Sequence, residues 1–115
     1  MQYMLLIYGD ERAVESAPPE QTTGIIDSYM AYTRALQDAR VLVASNRLRP
    51  SAAATTVRVA NGQTKVLDGP FAETKEQLGG YYLIDVPDLD AALSWASRCP
   101  GARHGTVEVR PIWVM

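Results

Sequence analysis

The sequence predicts an α+β domain of the ferredoxin-like type, a β-α-β-β-α-β sandwich carrying an inserted β-hairpin. Three observations carry this reading. Two short runs, Tyr3–Tyr8 and Tyr81–Val86, are apolar on nearly every residue and have strand length. Each is followed by a stretch with helical periodicity. An Asn61-Gly62 pair lies between two β-prone segments in the middle of the chain.

The elements follow in order. Tyr3–Tyr8 is closed by Gly9-Asp10, and its unbroken apolarity implies that both faces of the strand are covered. Pro18-Pro19-Glu20 has the chemistry of a helix start, with proline and an acid in the first turn. The stripe Ile25 or Ile26, Tyr29, Tyr32 or Thr33, Leu36 predicts a helix buried on one side and ending near Ala39. Val41–Ala44 is a second strand running toward Arg47-Leu48-Arg49-Pro50, and Ser51–Ala54 is a connector. The hairpin spans Thr55–Ala60 and Gln63–Leu67, with both turn residues needing positive φ. Asp68-Gly69-Pro70-Phe71 breaks its second arm. Gly79-Gly80 opens the Tyr81–Val86 strand, and Pro87 ends it. Asp88 caps a helix whose stripe reads Leu89, Ala92, Leu93, Ala96, stopped by Cys99-Pro100-Gly101. The last strand, Thr106–Arg110 and on through Pro111 to Trp113, alternates, with Val107 and Val109 on one face and Glu108 and Arg110 on the other.

In this plan the two apolar strands are central, yet helices cover only one face of the sheet. Each large apolar side chain left in water forgoes roughly 1.5–3 kcal/mol, so a handful amounts to about 10 kcal/mol. That is comparable with the ~4–15 kcal/mol that association costs. The expected cover is a second copy packed face to face, a homodimer with the form of a dimeric α+β barrel. The rival cover is the inserted hairpin folding back.

Composition narrows the function classes. The chain has 115 residues, enough for one domain, with 47% hydrophobic and 21% charged residues. A net charge of −2 and scattered arginines give no field for direct nucleic-acid or membrane binding. One cysteine, Cys99, permits no internal disulfide and reads as a small apolar residue near a helix end. The opening apolar run is too short for a secretory leader, so the expectation is a cytoplasmic protein. One histidine and one cysteine cannot supply a three- or four-ligand transition-metal site, and no cofactor fingerprint is present.

The segment Asp68-Gly69-Pro70-Phe71-Ala72-Glu73-Thr74-Lys75-Glu76-Gln77-Leu78-Gly79-Gly80-Tyr81-Tyr82 resembles the hallmark of the DGPF branch of the YCII-related family. The opening Tyr3–Tyr8 run and the closing Val107-Glu108-Val109-Arg110-Pro111 are similar to it as well. The resemblance implies a ferredoxin-like fold and a dimeric α+β barrel. For the wider group it implies an enzyme using a histidine–aspartate pair, with the histidine on the first helix. Here the first helix carries none, and the only histidine is His104. For the branch it implies association with extracytoplasmic-function sigma factors.

The candidate chemistry gathers around the DGPF loop. Asp68 either places a carboxylate at a pocket mouth or completes a turn, and Gly69 and Pro70 serve either role. Phe71 is the residue a turn alone does not explain. Lys75 is a partner for a carboxylate ligand, or part of a solvated polar stretch with Glu73 and Glu76. His104 is the one side chain with an ordinary pKa near neutrality, either on an exposed loop or as a pocket base. Tyr81 and Tyr82 point to opposite faces, so one packs under the helices and the other faces the interior between copies. Arg49, Gly69, Pro70, Phe71, Lys75 and Tyr81 are the expected ligand-binding residues, and Asp68 or His104 the proton-transfer group of a cofactor-free enzyme. The alternative is a non-catalytic binding or regulatory module.

Overall fold

A computed structural model describes all residues, Met1–Met115. Its elements run β1 (Gln2–Gly9), α1 (Glu11–Glu15), α2 (Pro19–Asp38), β2 (Leu42–Arg47), β3 (Thr55–Ala60), β4 (Gln63–Asp68), β5 (Gln77–Asp85), α3 (Leu89–Arg98), α4 (Gly101–His104) and β6 (Thr106–Pro111). Strands β2, β5, β1 and β6 form an antiparallel sheet in that order, with β5 and β1 central. Strands β3 and β4 form a separate hairpin between β2 and β5. This is the ferredoxin-like plan with the insertion in its expected place.

Strand register sets the two faces. Leu5 lies opposite Tyr82 and Val109, and Tyr3 opposite Ile84, all on the face that meets the helices. Tyr32 and Leu36 of α2 and Ala92 and Ala96 of α3 close that core, with Leu5, Leu36, Ile84 and Cys99 fully buried. The Tyr32 ring meets Tyr82 edge-on at 5.2 Å, an arrangement worth about 0.5–1.5 kcal/mol beyond its burial. The Tyr32 hydroxyl donates to the Trp95 carbonyl at 2.7 Å and ties α2 to α3.

The odd–even alternation puts Met4, Leu6, Leu83, Ala44 and Tyr81 on the opposite face, all partly exposed. The hairpin does not roof this face. Every residue of β3 and β4 except Thr56 is exposed, and both strands hydrogen-bond only to each other and to their own stem. The molecule is correspondingly flat and spread, 48 × 44 × 19 Å, with a radius of gyration of 16.1 Å. A chain of this length normally has about 13 Å. Its accessible surface is 8495 Å², roughly 2,300 Å² above what its mass predicts.

Four local expectations need correction. Asp10 caps an extra short helix, α1, by accepting from the Arg12 and Ala13 amides. In α3 the buried stripe is Ala92 and Ala96, while Leu89 and Leu93 lie exposed on its flank. Small alanines let the helix approach the sheet closely, and the leucines are displaced to the edge. After Cys99-Pro100 the chain turns again as α4 instead of a loop. Strand β6 stops at Pro111, leaving Trp113 and Val114 nearly fully exposed. Gly105 joins α4 to β6 where a Cβ would collide with the Tyr8 carbonyl, so only glycine fits there.

Candidate functional site

The DGPF loop begins where β4 ends. Gly69 has a φ of 99°, the left-handed region that glycine tolerates. Its N–H donates to the Ala54 carbonyl at 2.6 Å, and its carbonyl accepts from Thr56 Oγ1 at 2.8 Å. These bonds form the turn without the Asp68 carboxylate, which makes no hydrogen bond or ion pair. Pro70, Phe71 and Lys75 are exposed, Phe71 by 79%.

The stem of the hairpin is anchored to the sheet by a residue that the sequence did not single out. The Glu11 carboxylate accepts from the Ser51 N–H at 2.6 Å and from Ser51 Oγ at 2.7 Å. The Glu11 N–H in turn donates to Gln77 Oε1 at 3.0 Å, at the start of β5. Arg49 lies just before this anchor and lines an open concavity of about 250 Å³ with Arg47, Leu48 and Pro50. The chain's two ion pairs lie elsewhere, so neither arginine is neutralised by a carboxylate.

The paired tyrosines divide as alternation requires. Tyr82 packs under the helices, its hydroxyl 2.7 Å from Thr33 Oγ1 of α2. Tyr81 lies on the open face, where its hydroxyl accepts from Asn46 Nδ2 at 2.8 Å. Glu108 and Arg110 share that face and pair at 2.9 Å. Asn46 is a site residue that sequence reasoning missed. Its signal is the strand alternation of β2, but placing it beside Tyr81 needs the β2–β5 register.

His104 lies away from this corner. It borders an open concavity of about 640 Å³ against α2, with Arg98, Arg103, Ile25 and Ser28. No hydrogen bond links it to Asp68, so the two expected proton-transfer groups do not form a pair.

The titrations that the fold perturbs belong to the core. Burial, with help from Cys99 and Tyr82 and against Arg47, pushes the Tyr29 hydroxyl from its ordinary 10.0 up to about 12. Tyr32 and Tyr82 are pushed up as well, chiefly by burial. Burial also raises the Cys99 thiol, which makes it inert. A phenol whose folded pKa is raised ionises more readily in the unfolded chain, so it stabilises the fold fully below its ordinary value. That stability is therefore expected to fall as the pH rises from about 10 toward 12. Denaturant unfolding across this window checks it, and a midpoint constant to pH 12 would contradict it.

A two-layer sandwich with helices on one side and a half-apolar, hydroxyl- and amide-bearing sheet face on the other defines an α+β sandwich of the ferredoxin-like class. The chain matches the YCII-related domain along residues 1–115, and it belongs to that family. It is 42% identical over 114 residues to an uncharacterised protein of Rhizobium meliloti, covering 97% of this chain and 92% of that protein. Among solved structures it is similar to 5-chloro-2-hydroxyhydroquinone dehydrochlorinase from Burkholderia phenoliruptrix in complex with 2,5-dihydroxybenzoquinone. That likeness has a TM-score of 0.57 at 10% identity over 98% of this chain and 94% of the other, and it speaks to fold alone. No helix is long and apolar enough to cross a membrane.

Proposed function

We propose that this chain is a cytoplasmic homodimer of the DGPF branch that binds a small organic molecule on the open sheet face. The pocket centres on the Asn46–Tyr81 pair at the corner next to Arg49 and the DGPF loop. The observation that carries this reading is the face itself: Met4, Leu6 and Leu83 are apolar, while Tyr81 and Asn46 present a paired hydroxyl and amide among them. Two such faces packed together leave an apolar interior with few oriented polar groups, the usual make-up of a ligand site. Arg49, which no carboxylate neutralises, favours a ligand with an acidic group at that corner. Catalysis there needs no cofactor, with Asp68 as the proton-transfer group, since its carboxylate has no structural partner.

The second reading is a non-catalytic partner of another protein, an extracytoplasmic-function sigma factor by family resemblance. The exposed apolar tail Trp113-Val114-Met115 favours it.

Native mass spectrometry of the purified protein is the test of the first reading. It is expected to show a dimer carrying a small bound molecule. Tyr81→Phe removes one hydrogen-bonding hydroxyl and is expected to weaken that binding about fivefold, from a net bond energy of about 1 kcal/mol. Undiminished binding by Tyr81→Phe and by Arg49→Ala together would remove the ligand from this corner.

A further inference from the structure

The hairpin has two unlike faces. Cross-strand pairing puts Thr55, Val57 and Val59 on one face with Asp68, Val66 and Thr64. The other face carries Arg58 directly opposite Lys65, flanked by Thr56 with Leu67 at the stem and Ala60 with Gln63 at the turn. Two like charges facing each other across strands repel, and they are tolerated only in open water. The middle of that face therefore belongs in solvent, and the valine face has the chemistry of a contact surface. Yet Val57, Val59 and Val66 are 59%, 68% and 60% exposed. A lone two-stranded hairpin is marginally stable, so this face needs a cover.

The protomer's own body does not provide one. The Glu11–Ser51 anchor fixes the stem beside β1 and β5, and the strands beyond it bond only to each other. The dimensions fit a second copy instead. Six residues of β-strand extend about 20 Å, long enough to reach from the stem onto a neighbouring molecule. The surplus of roughly 2,300 Å² also exceeds the ~800 Å² that each partner buries in an ordinary interface, leaving area for more than sheet-to-sheet contact.

We infer that each hairpin acts as an arm in trans: its Val57–Val59–Val66 face packs on the other copy at the edge of that copy's open sheet face, beside the sheet-to-sheet contact. The valines of the arm then form a wall at the rim of the pocket that holds Asn46 and Tyr81. Each site is then built from two chains. This rests on the dimeric reading above and adds to it which segment completes the site.

Mixed dimers test the arm separately from the dimer. Val59→Cys, carrying a nitroxide, is combined in about tenfold excess with isotope-labelled wild-type protomers, so that nearly every labelled protomer has a nitroxide-carrying partner; Cys99 is fully buried and escapes the label. Signals of Leu6, Tyr81 and Leu83 amides in the isotope-labelled protomers are expected to broaden beyond detection. A dimer in which those signals stay sharp overturns the arm while leaving the sheet-to-sheet dimer standing. Broadening confined to the chain that carries the nitroxide, seen with the labels exchanged, also overturns it. A wild-type monomer at the same concentration removes both readings.

Discussion

Leu83→Asp is expected to convert the protein into folded monomers. Leu83 lies on the open face between Met4 and Ala44 and is not part of the core under the helices. Directly opposite a carboxylate there are only Met4 and Ala44, and Arg110 beyond Met4 is already paired with Glu108. An unpaired charge buried in this way costs about 3–5 kcal/mol. Two-fold symmetry doubles the cost, so the dissociation constant rises by about four powers of ten or more. Sedimentation velocity reads the change in mass, and circular dichroism reads the retained helices. A variant that stays dimeric would place the interface on another surface. Leu83→Met, which keeps the apolar volume, is expected to leave the dimer intact.

The adjacent residue produces the opposite outcome. Ile84→Ala empties a fully buried position between β1, β2 and the helices. Such a truncation costs about 2–5 kcal/mol, from lost transfer energy and the cavity left behind. That is a large share of the ~5–15 kcal/mol that holds a domain together. The expected result is a clear drop in denaturant midpoint, with the chains that remain folded still pairing as wild type does. Both variants must be unfolded at one fixed protein concentration, because dimerisation itself adds to apparent stability. Equal behaviour of the two variants would mean that the sheet does not separate a core face from a docking face.

Most of this architecture is legible in the sequence because it is written as periodicity. Tyr3–Tyr8 and Tyr81–Val86 are too short and too apolar for anything but central strands, and they occupy β1 and β5. The Asn61-Gly62 turn has φ of 52° and 73°, the positive values its hairpin type demands. The helix α1 is not legible in the sequence because five residues give no periodicity, although Asp10 ahead of Glu11 is a recognisable cap. The flank position of Leu89 and Leu93 was hidden too, since an i, i+3, i+4 pattern does not say where the stripe has its centre.

The candidate site was less legible, for a physical reason. Alternation says that Tyr81 and Tyr82 oppose each other, but which one meets the helices is settled by pairing Tyr82 with Leu5, 77 positions earlier in the chain. Likewise, Asp68 and His104 both looked suited to proton transfer, and nothing local distinguishes their surroundings. One sits at the base of an exposed arm, the other beside α2. Glu11 and Asn46 owe their roles to the Ser51 and Tyr81 contacts, which form only in the folded chain.

What matters most is whether the greasy side of the β2-β5-β1-β6 sheet is hidden by a twin. Sedimentation equilibrium of the wild-type protein at low micromolar concentration reads this directly. The expected result is a species of twice the 12.6 kDa chain mass. A stable, well-folded 12.6 kDa particle under those conditions would contradict it, and the shared pocket would lose its second wall.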